Sequence, residues 1–250
     1  MPELLVEFLS EEIPARMQTR AADGLARLVG AALTAADLPF SGMRTFVTPR
    51  RLALAIDGIP AAQPDRCVER KGPRTNAPEQ AIEGFLNANG LALEQCAVRA
   101  DKKGDYYIAI IEQRGRPAAD VLAAIVGEAA HALAWPKSMR WGSASFRWVR
   151  PLHGVLAVFD GEPLAGALDM GGAEMPFGDT TRGHRFLSAD EIQVKDAADY
   201  LAKLRGAYVL VDPVDRRSRI AEDLRLAAAQ HDLVLRDDPG LLDEVAGLVE

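Results

Sequence analysis

The chain has 250 residues, 48% of them hydrophobic and 26% charged, and a formal net charge of -7. This is an ordinary soluble composition, long enough for one large core or two smaller ones, and its acidic balance argues against nonspecific coating of DNA or of anionic membrane. The longest apolar runs fall far short of the roughly 20 residues that span a bilayer, and Cys67 and Cys96 give neither a disulfide framework nor a metal-ligand spacing.

The cysteine usage fits a reducing cytoplasm, and MPELLVEF carries acids rather than a basic segment, so no secretory signal is expected. LLVEFL at 4–9 reads as a first strand, and Ser10-Glu11-Glu12-Ile13-Pro14 leads into a helix whose positive end favours acids. Glu7, Glu11 and Glu12 invite a catalytic reading, but strand exposure and helix-start charge explain them more simply. Leu25, Leu28, Val29, Ala32 and Leu33 recur at helical spacing, which predicts one amphipathic helix over 14–36. In FVTPRRLALAI at 46–56, Leu52, Leu54 and Ile56 alternate with small residues, which predicts a strand ending at Asp57-Gly58 with a bend or edge at Pro49. Extended backbone points Arg50 and Arg51 to opposite faces, one toward solvent and one inward.

Residues 60–78 hold Pro60, Pro64, Pro73 and Pro78 among Arg66, Arg70, Lys71 and Arg74 and read as a basic, irregular connector; KGP at 71–73 is a turn, not a phosphate loop. A helix over 81–89 should stop at Asn89-Gly90 with a left-handed cap. The segments 96–98 and 106–111 read as a hairpin turning at Lys103-Gly104. Pro117 opens a second long helix, with Val121, Leu122, Ile125, Val126, Ala129 and Leu133 as its buried stripe and His131 on its solvated side.

WPKSMRWGSASFRWVRPLHGVLAVFDGEP at 135–163 contains all three tryptophans together with Lys137, Arg140, Arg147, Arg150 and His153, and no acid before Asp160. Cations interleaved with aromatics suit phosphate, nucleobase or acidic-surface recognition. Arginine stems packed along indole rings explain the same residues structurally. GVLAVF reads as a buried strand, with 164–168 pairing back on it. The Gly-rich stretch 171–188 ends in TTRGHRFL, where Arg182, His184 and Arg185 follow one another without an acid and Gly183 permits close backbone approach. An arginine fork suits phosphate or carboxylate; an internal ion pair is the plainer use of it. Beyond lie a helix at 197–205, a short strand at 207–211, a helix at 214–231 and LLDEVAGLVE, a helical pattern still running at Glu250, so the chain reads as cut.

No GxSxG elbow, HExxH, clustered CxxC, Walker loop or dinucleotide fingerprint is present, and His131, His153, His184 and His231 are widely separated, which favours recognition over catalysis. Helices and strands mix without regular alternation, which predicts an α+β fold with mixed, mostly antiparallel sheets and packed amphipathic helices. Three regions are expected: a strand-helix-strand unit at 1–60, a central α+β region with the basic aromatic stretch at 61–170, and a Gly-rich loop with a helical region at 171–250.

LLVEFLSEEIP, FVTPRRLA, KGP, WPKSMRWG, FRWVRPLHGVLAVFDGE, TRGHRFL and LLDEVAGLVE, in that order, resemble the beta subunit of bacterial heterotetrameric glycyl-tRNA synthetase. The likeness covers essentially the whole chain, and the chain corresponds to about the N-terminal third of that subunit. It lacks a middle region resembling a His–Asp phosphohydrolase domain and a C-terminal anticodon-binding domain. The resemblance implies an enzyme of two alpha and two beta subunits that joins glycine to tRNA with ATP, in the cytoplasm and without a membrane. It places the aminoacylation site, with ATP and Mg, on the alpha subunit, and implies no catalytic residue, metal or cofactor in this piece. Its implied partners are the alpha subunit, tRNA(Gly) and a second beta subunit. The candidate tRNA- or partner-binding residues are Arg50 and Arg51; Lys137, Arg140, Arg147, Trp148, Arg150 and His153; and Arg182, His184 and Arg185. Two alternatives stand beside this. One is an editing-like hydrolase of mischarged tRNA, similar to the editing-type domain of phenylalanyl-tRNA synthetase, using Thr180, Thr181, His184 and His153 with Asp179. The other is a pure protein-interaction scaffold.

Overall fold

The apolar run near the start forms β1 (Glu3–Ser10), buried from Leu4 onward on both of its faces. The chain continues through α1 (Ala15–Ala35), β2 (Gly42–Val47) and β3 (Arg51–Asp57). Then come β4 (Arg66–Arg74), α2 (Glu79–Asn89), β5 (Cys96–Arg99) and β6 (Tyr106–Gln113). After α3 (Ala118–Ala132) follow β7 (Leu152–Phe159), β8 (Glu162–Pro163), β9 (Ala167–Asp169), β10 (Glu174–Gly178), β11 (Thr180–Arg182) and β12 (Glu191–Gln193). Three helices complete it: α4 (Ala197–Gly206), α5 (Pro213–Gln230) and α6 (Pro239–Ala246). This computed structural model describes residues 2–101, 104–188 and 190–250. It divides into a larger unit, Met1–Ala61 with Pro117–Glu250, and a smaller one, Ala62–Arg116.

In the larger unit a seven-stranded sheet runs in the order β2-β3-β1-β7-β10-β9, with β8 also on β7. Every pairing in it is antiparallel except the short parallel contact of β10 with β7. The fold is therefore α+β with mostly antiparallel sheets. On one face Leu4, Val6 and Phe8 pack with Leu25, Val29 and Leu33 of α1 and Leu122, Ile125 and Val126 of α3. On the other, Leu5, Ala53, Ala55 and Val158 pack with Tyr200 and Leu204 of α4. A strand covered on both faces needs apolar side chains at successive positions, which is why β1 reads as a continuous run rather than an alternation.

In the smaller unit the sheet order is β4-β6-β5. Residues 66–74, expected as an irregular connector, are instead a strand paired antiparallel with β6; a register shift between Lys71 and Arg74 accommodates Gly72 and Pro73. Gly72 has no room for a side chain, since a Cβ there would lie 2.6 Å from the Phe85 ring of α2. The α2 helix ends at Gly90 with φ 62°, the left-handed cap expected of it. β5 and β6 pair as the hairpin reading requires, and Lys103 of the proposed turn lies outside the described residues.

Three further expectations are corrected. Of 164–168 only Leu164, whose N–H donates to the Ala157 carbonyl at 2.9 Å, folds back on β7 beside Glu162–Pro163, while 167–169 pairs with β10. The segment 207–211 forms no strand; the carbonyls of Leu210 and Val211 accept from the buried Arg216 guanidinium. The last helix ends at Ala246, where Gly247 packs against Ala15 too closely to bear a Cβ and its carbonyl accepts from Gln18. Among the described residues no helix is long and apolar enough to cross a membrane.

Candidate functional site

Pro49 ends the extended run after β2, and β3 restarts at Arg51 with its side chain inward. Arg51 is fully buried. Its Nη1 lies 3.2 Å from the Thr181 hydroxyl and 3.5 Å from the Glu7 carboxylate, its Nη2 donates to the Gly183 carbonyl at 3.2 Å, and its Nε lies 3.2 Å from Glu250. Glu7 also accepts from the Tyr200 hydroxyl at 2.5 Å and from the Thr181 hydroxyl. Burial opposes the Arg51 charge, but Glu7 and Glu250 outweigh it and raise its pKa above the ordinary guanidinium value. Burial, reinforced by the charge of Glu7, pushes the Tyr200 hydroxyl well above its ordinary pKa. Two expectations change here. Glu7 is a buried acceptor rather than an exposed strand residue, because three donors converge on it. Arg51 is a core ion, enclosed by its partners and closed to any docking molecule.

Arg50, on the opposite face, opens into a cavity of about 380 Å³. Arg50, His153 of β7, Arg182 of β11 and Arg185 line it, over a floor that includes Leu9, Gly154, Thr180, Thr181 and Gly183. Three carboxylates hold the rim: His153 lies 2.7 Å from Glu11, Arg182 3.0 Å from Glu191, and Arg185 2.7 Å from Glu12. The hydrogen bond from His153 lowers the pKa of Glu11 against the opposing effect of burial, and Arg50 and Arg185 lower it further. The buried Nε of Arg50 has no hydrogen-bond partner among the described residues. All three rim pairs are solvent-exposed and therefore weak, so an incoming phosphate or carboxylate can displace an acid from its arginine.

The turn after β11 is fixed from several sides. A Cβ on Gly183 would fall on the Ser188 carbonyl and within 2.8 Å of Ala207, so glycine serves close approach here. The half-buried His184 donates its backbone N–H to Ala207 at 2.9 Å, and its Nδ1 accepts from the N–H groups of Phe186 and Leu187, both at 3.3 Å. His184 is thus a builder of the turn that carries Arg185.

The basic aromatic stretch splits in two. Trp148 is fully buried, with its ring centroid 5.2 Å from Phe8, 4.9 Å from Trp135 and 5.8 Å from Phe146. It is a core residue, not a docking one, because β1 and its aromatic neighbours enclose it. Arg140 and Arg147 are exposed on a loop closed by the Met139–Trp148 backbone bridge, Lys137 is exposed just before it, and Arg147 donates to Ser138 at 3.1 Å. None of these three forms an ion pair among the described residues. Arg150 is half-buried, bonded to the Val149 carbonyl at 3.0 Å, and lines a separate hollow with Glu12 and Pro49.

Sequence reasoning missed Tyr200 and Glu191 as site components and set Glu11 and Glu12 aside as helix-start charge, although the first turn of α1 holds no acid. Tyr200 is 193 residues from Glu7 and Glu11 is 142 from His153, distances at which no local spacing signals a partner. Of the residues of a hydrolytic reading, Thr181 is engaged in the buried network, His184 in its turn and Asp179 with Gln193 at 2.7 Å, while Thr180 and His153 line the cavity.

The family model described as glycyl-tRNA synthetase beta subunit matches residues 4–250. Curated relatives, each named glycine–tRNA ligase beta subunit, include one from Rhodospirillum centenum at 49% identity, covering all of this chain and 38% of the relative. One from Paracoccus denitrificans is 48% identical and one from Dinoroseobacter shibae 47%, with the whole of this chain again covered and 36% and 35% of those relatives. The chain thus spans little more than a third of the length of the curated relatives it matches. A match that begins within β1 and carries through both units to Glu250 settles the family: the chain belongs to the glycyl-tRNA synthetase beta subunits.

Proposed function

We propose that this chain is the portion of a glycine–tRNA ligase beta subunit that binds tRNA phosphate and helps to assemble the subunits, while the ligation itself takes place elsewhere in the complex. The observation that carries this reading is the convergence of Arg50, His153, Arg182 and Arg185, from three separate stretches of an acidic chain, on one cavity. Guanidinium groups held by weak, exposed carboxylates are exchangeable anion receptors. Lys137, Arg140 and Arg147, which form no ion pair among the described residues, make the second contact surface, directed at the alpha subunit. In this reading ATP and Mg act on the alpha subunit, this portion holds no cofactor, a second beta subunit completes the cytoplasmic complex, and ligation of glycine to tRNA(Gly) is a property of the whole. An editing hydrolase has less support, since Thr181 and His184 already serve the buried network and the turn.

The test uses the full-length beta subunit assembled with its alpha subunit. Arg50→Ala with Arg182→Ala should weaken tRNA(Gly) binding and flatten the dependence of log affinity on log salt by about 1.4–1.8, the loss of two phosphate contacts. Unchanged affinity and slope would count against the reading. Lys137→Ala with Arg140→Ala should loosen alpha-subunit association in sedimentation while tRNA contact through the cavity persists.

A further inference from the structure

Phe186 stands 77% exposed beside the cavity. It is not at the end of a loose loop. Gly183, three residues before it, is tied to Arg51 through its carbonyl at 3.2 Å, His184 is tied to Ala207, and the Ser188 N–H returns to the His184 carbonyl at 2.9 Å. The ring is shared with a cavity residue: the Arg185 guanidinium lies 4.7 Å from the Phe186 centroid, and Arg185 also lines the cavity and pairs with Glu12. The fold therefore holds a large flat apolar surface in water, on a pinned turn, one guanidinium away from a group of anion receptors.

Resting on the proposed tRNA-binding role, we propose that the cavity and Phe186 together bind one unpaired nucleotide of RNA. Its phosphate lies among Arg50, Arg182 and His153, and its base stacks on the Phe186–Arg185 pair. A nucleotide presents a charged phosphate and, one sugar away, a flat base; the protein presents cations and, one side chain away, a flat ring. Stacking on an aromatic face requires a base that is free of its helix, so paired RNA cannot satisfy both halves of the site. A cavity of about 380 Å³ falls at the small end of ligand sites, on the scale of a single nucleotide rather than a duplex segment. A protein partner is the competing occupant of an exposed Phe186-Leu187 tip. The surrounding cations favour RNA, and Leu187, 61% exposed on the same turn, distinguishes the two, because a stacked base has no need of it.

The experiment compares a five-nucleotide single-stranded RNA with an abasic ribose-phosphate oligomer of the same length, each titrated into the full-length beta subunit assembled with its alpha subunit. The unsubstituted protein should bind the RNA more tightly than the abasic oligomer. Phe186→Ala should erase that preference, an RNA loss of about 5- to 150-fold. Phe186→Tyr should retain the preference, and Leu187→Ala should leave it intact. Arg50→Ala with Arg182→Ala should weaken both oligomers equally. Equal binding of RNA by Phe186→Ala and the unsubstituted protein overturns the stacking site, as does failure of the RNA to bind. Loss of the alpha subunit in Phe186→Ala and Leu187→Ala, with RNA binding intact, overturns it in favour of a protein contact. Should the double arginine variant leave both oligomers and tRNA unaffected, the tRNA-binding role fails and the nucleotide site with it, whereas a failure confined to Phe186→Ala leaves the tRNA-binding role standing.

Discussion

Arg51 and Tyr200 set the energetic stakes of single residues in this chain. Arg51→Ala would leave Glu7 and Glu250 buried around a missing cation, and about 3–5 kcal/mol of stability should be lost, read as a lower urea midpoint. Arg51→Lys keeps the charge but has no fork with which to reach Thr181 and Gly183 together, so it should recover only part of that loss. Tyr200→Phe removes a donor from a buried carboxylate and should cost roughly 1.5–3 kcal/mol near neutral pH. The raised pKa of Tyr200 also fixes a sign. Its stabilising contribution is complete below the unfolded value of 10.0, and it is lost as pH climbs through that value toward the higher folded one, because only the unfolded chain ionises easily. Stability measured against pH should therefore decline above about pH 10, less steeply in Tyr200→Phe. At this scale the sequence was half legible. Alternation showed that Arg50 and Arg51 face opposite ways. Which one turns inward depends on Glu7, 44 residues upstream. Trp148 next to Arg147 looked the same whether core or surface, and only its packing on Phe8 decides it.

Gly183 shows how an element can depend on a missing methyl group. Gly183→Ala would drive a Cβ into Ser188 and Ala207, destabilising the larger unit by about 1–3 kcal/mol and displacing the turn that carries Arg185. The expected pair of outcomes is a lower thermal midpoint and a tRNA affinity reduced by more than the loss of folded protein explains. Helices were the most legible elements, since Leu25, Val29 and Leu33 repeat one face of α1 and Val121, Leu122 and Ile125 one face of α3. β4 was not, because Gly72 and Pro73 interrupt it and it presents mostly exposed polar residues that show no buried face. The segment 207–211 misled in the other direction: Ala207, Val209 and Val211 are buried, but a side chain rather than a neighbouring strand satisfies the carbonyls of Leu210 and Val211.

For the molecule as a whole, the chain passes into and out of the smaller unit through adjacent strands of backbone. The Ala118 N–H donates to the Ala61 carbonyl at 2.8 Å, and the Gln63 N–H to Arg116 at 2.9 Å. Residues 62–116 are thus an insertion, and replacing them with a short Gly-Ser linker should leave the larger unit folding in one cooperative transition by circular dichroism; loss of that transition would show that the insertion is needed for folding. The family itself was legible in the order of its motifs, whereas the cavity was not, because its stretches are scattered along the chain from Leu9 to Glu191. The place of β1 between β3 and β7 has a consequence during synthesis. Leu4 finds Ile56 early, but its other neighbour, Phe159, emerges 155 residues later. At typical translation speeds that flank of a mostly apolar strand waits roughly 8–30 s for its neighbour, long enough for a chaperone to reach it before the protein closes over it.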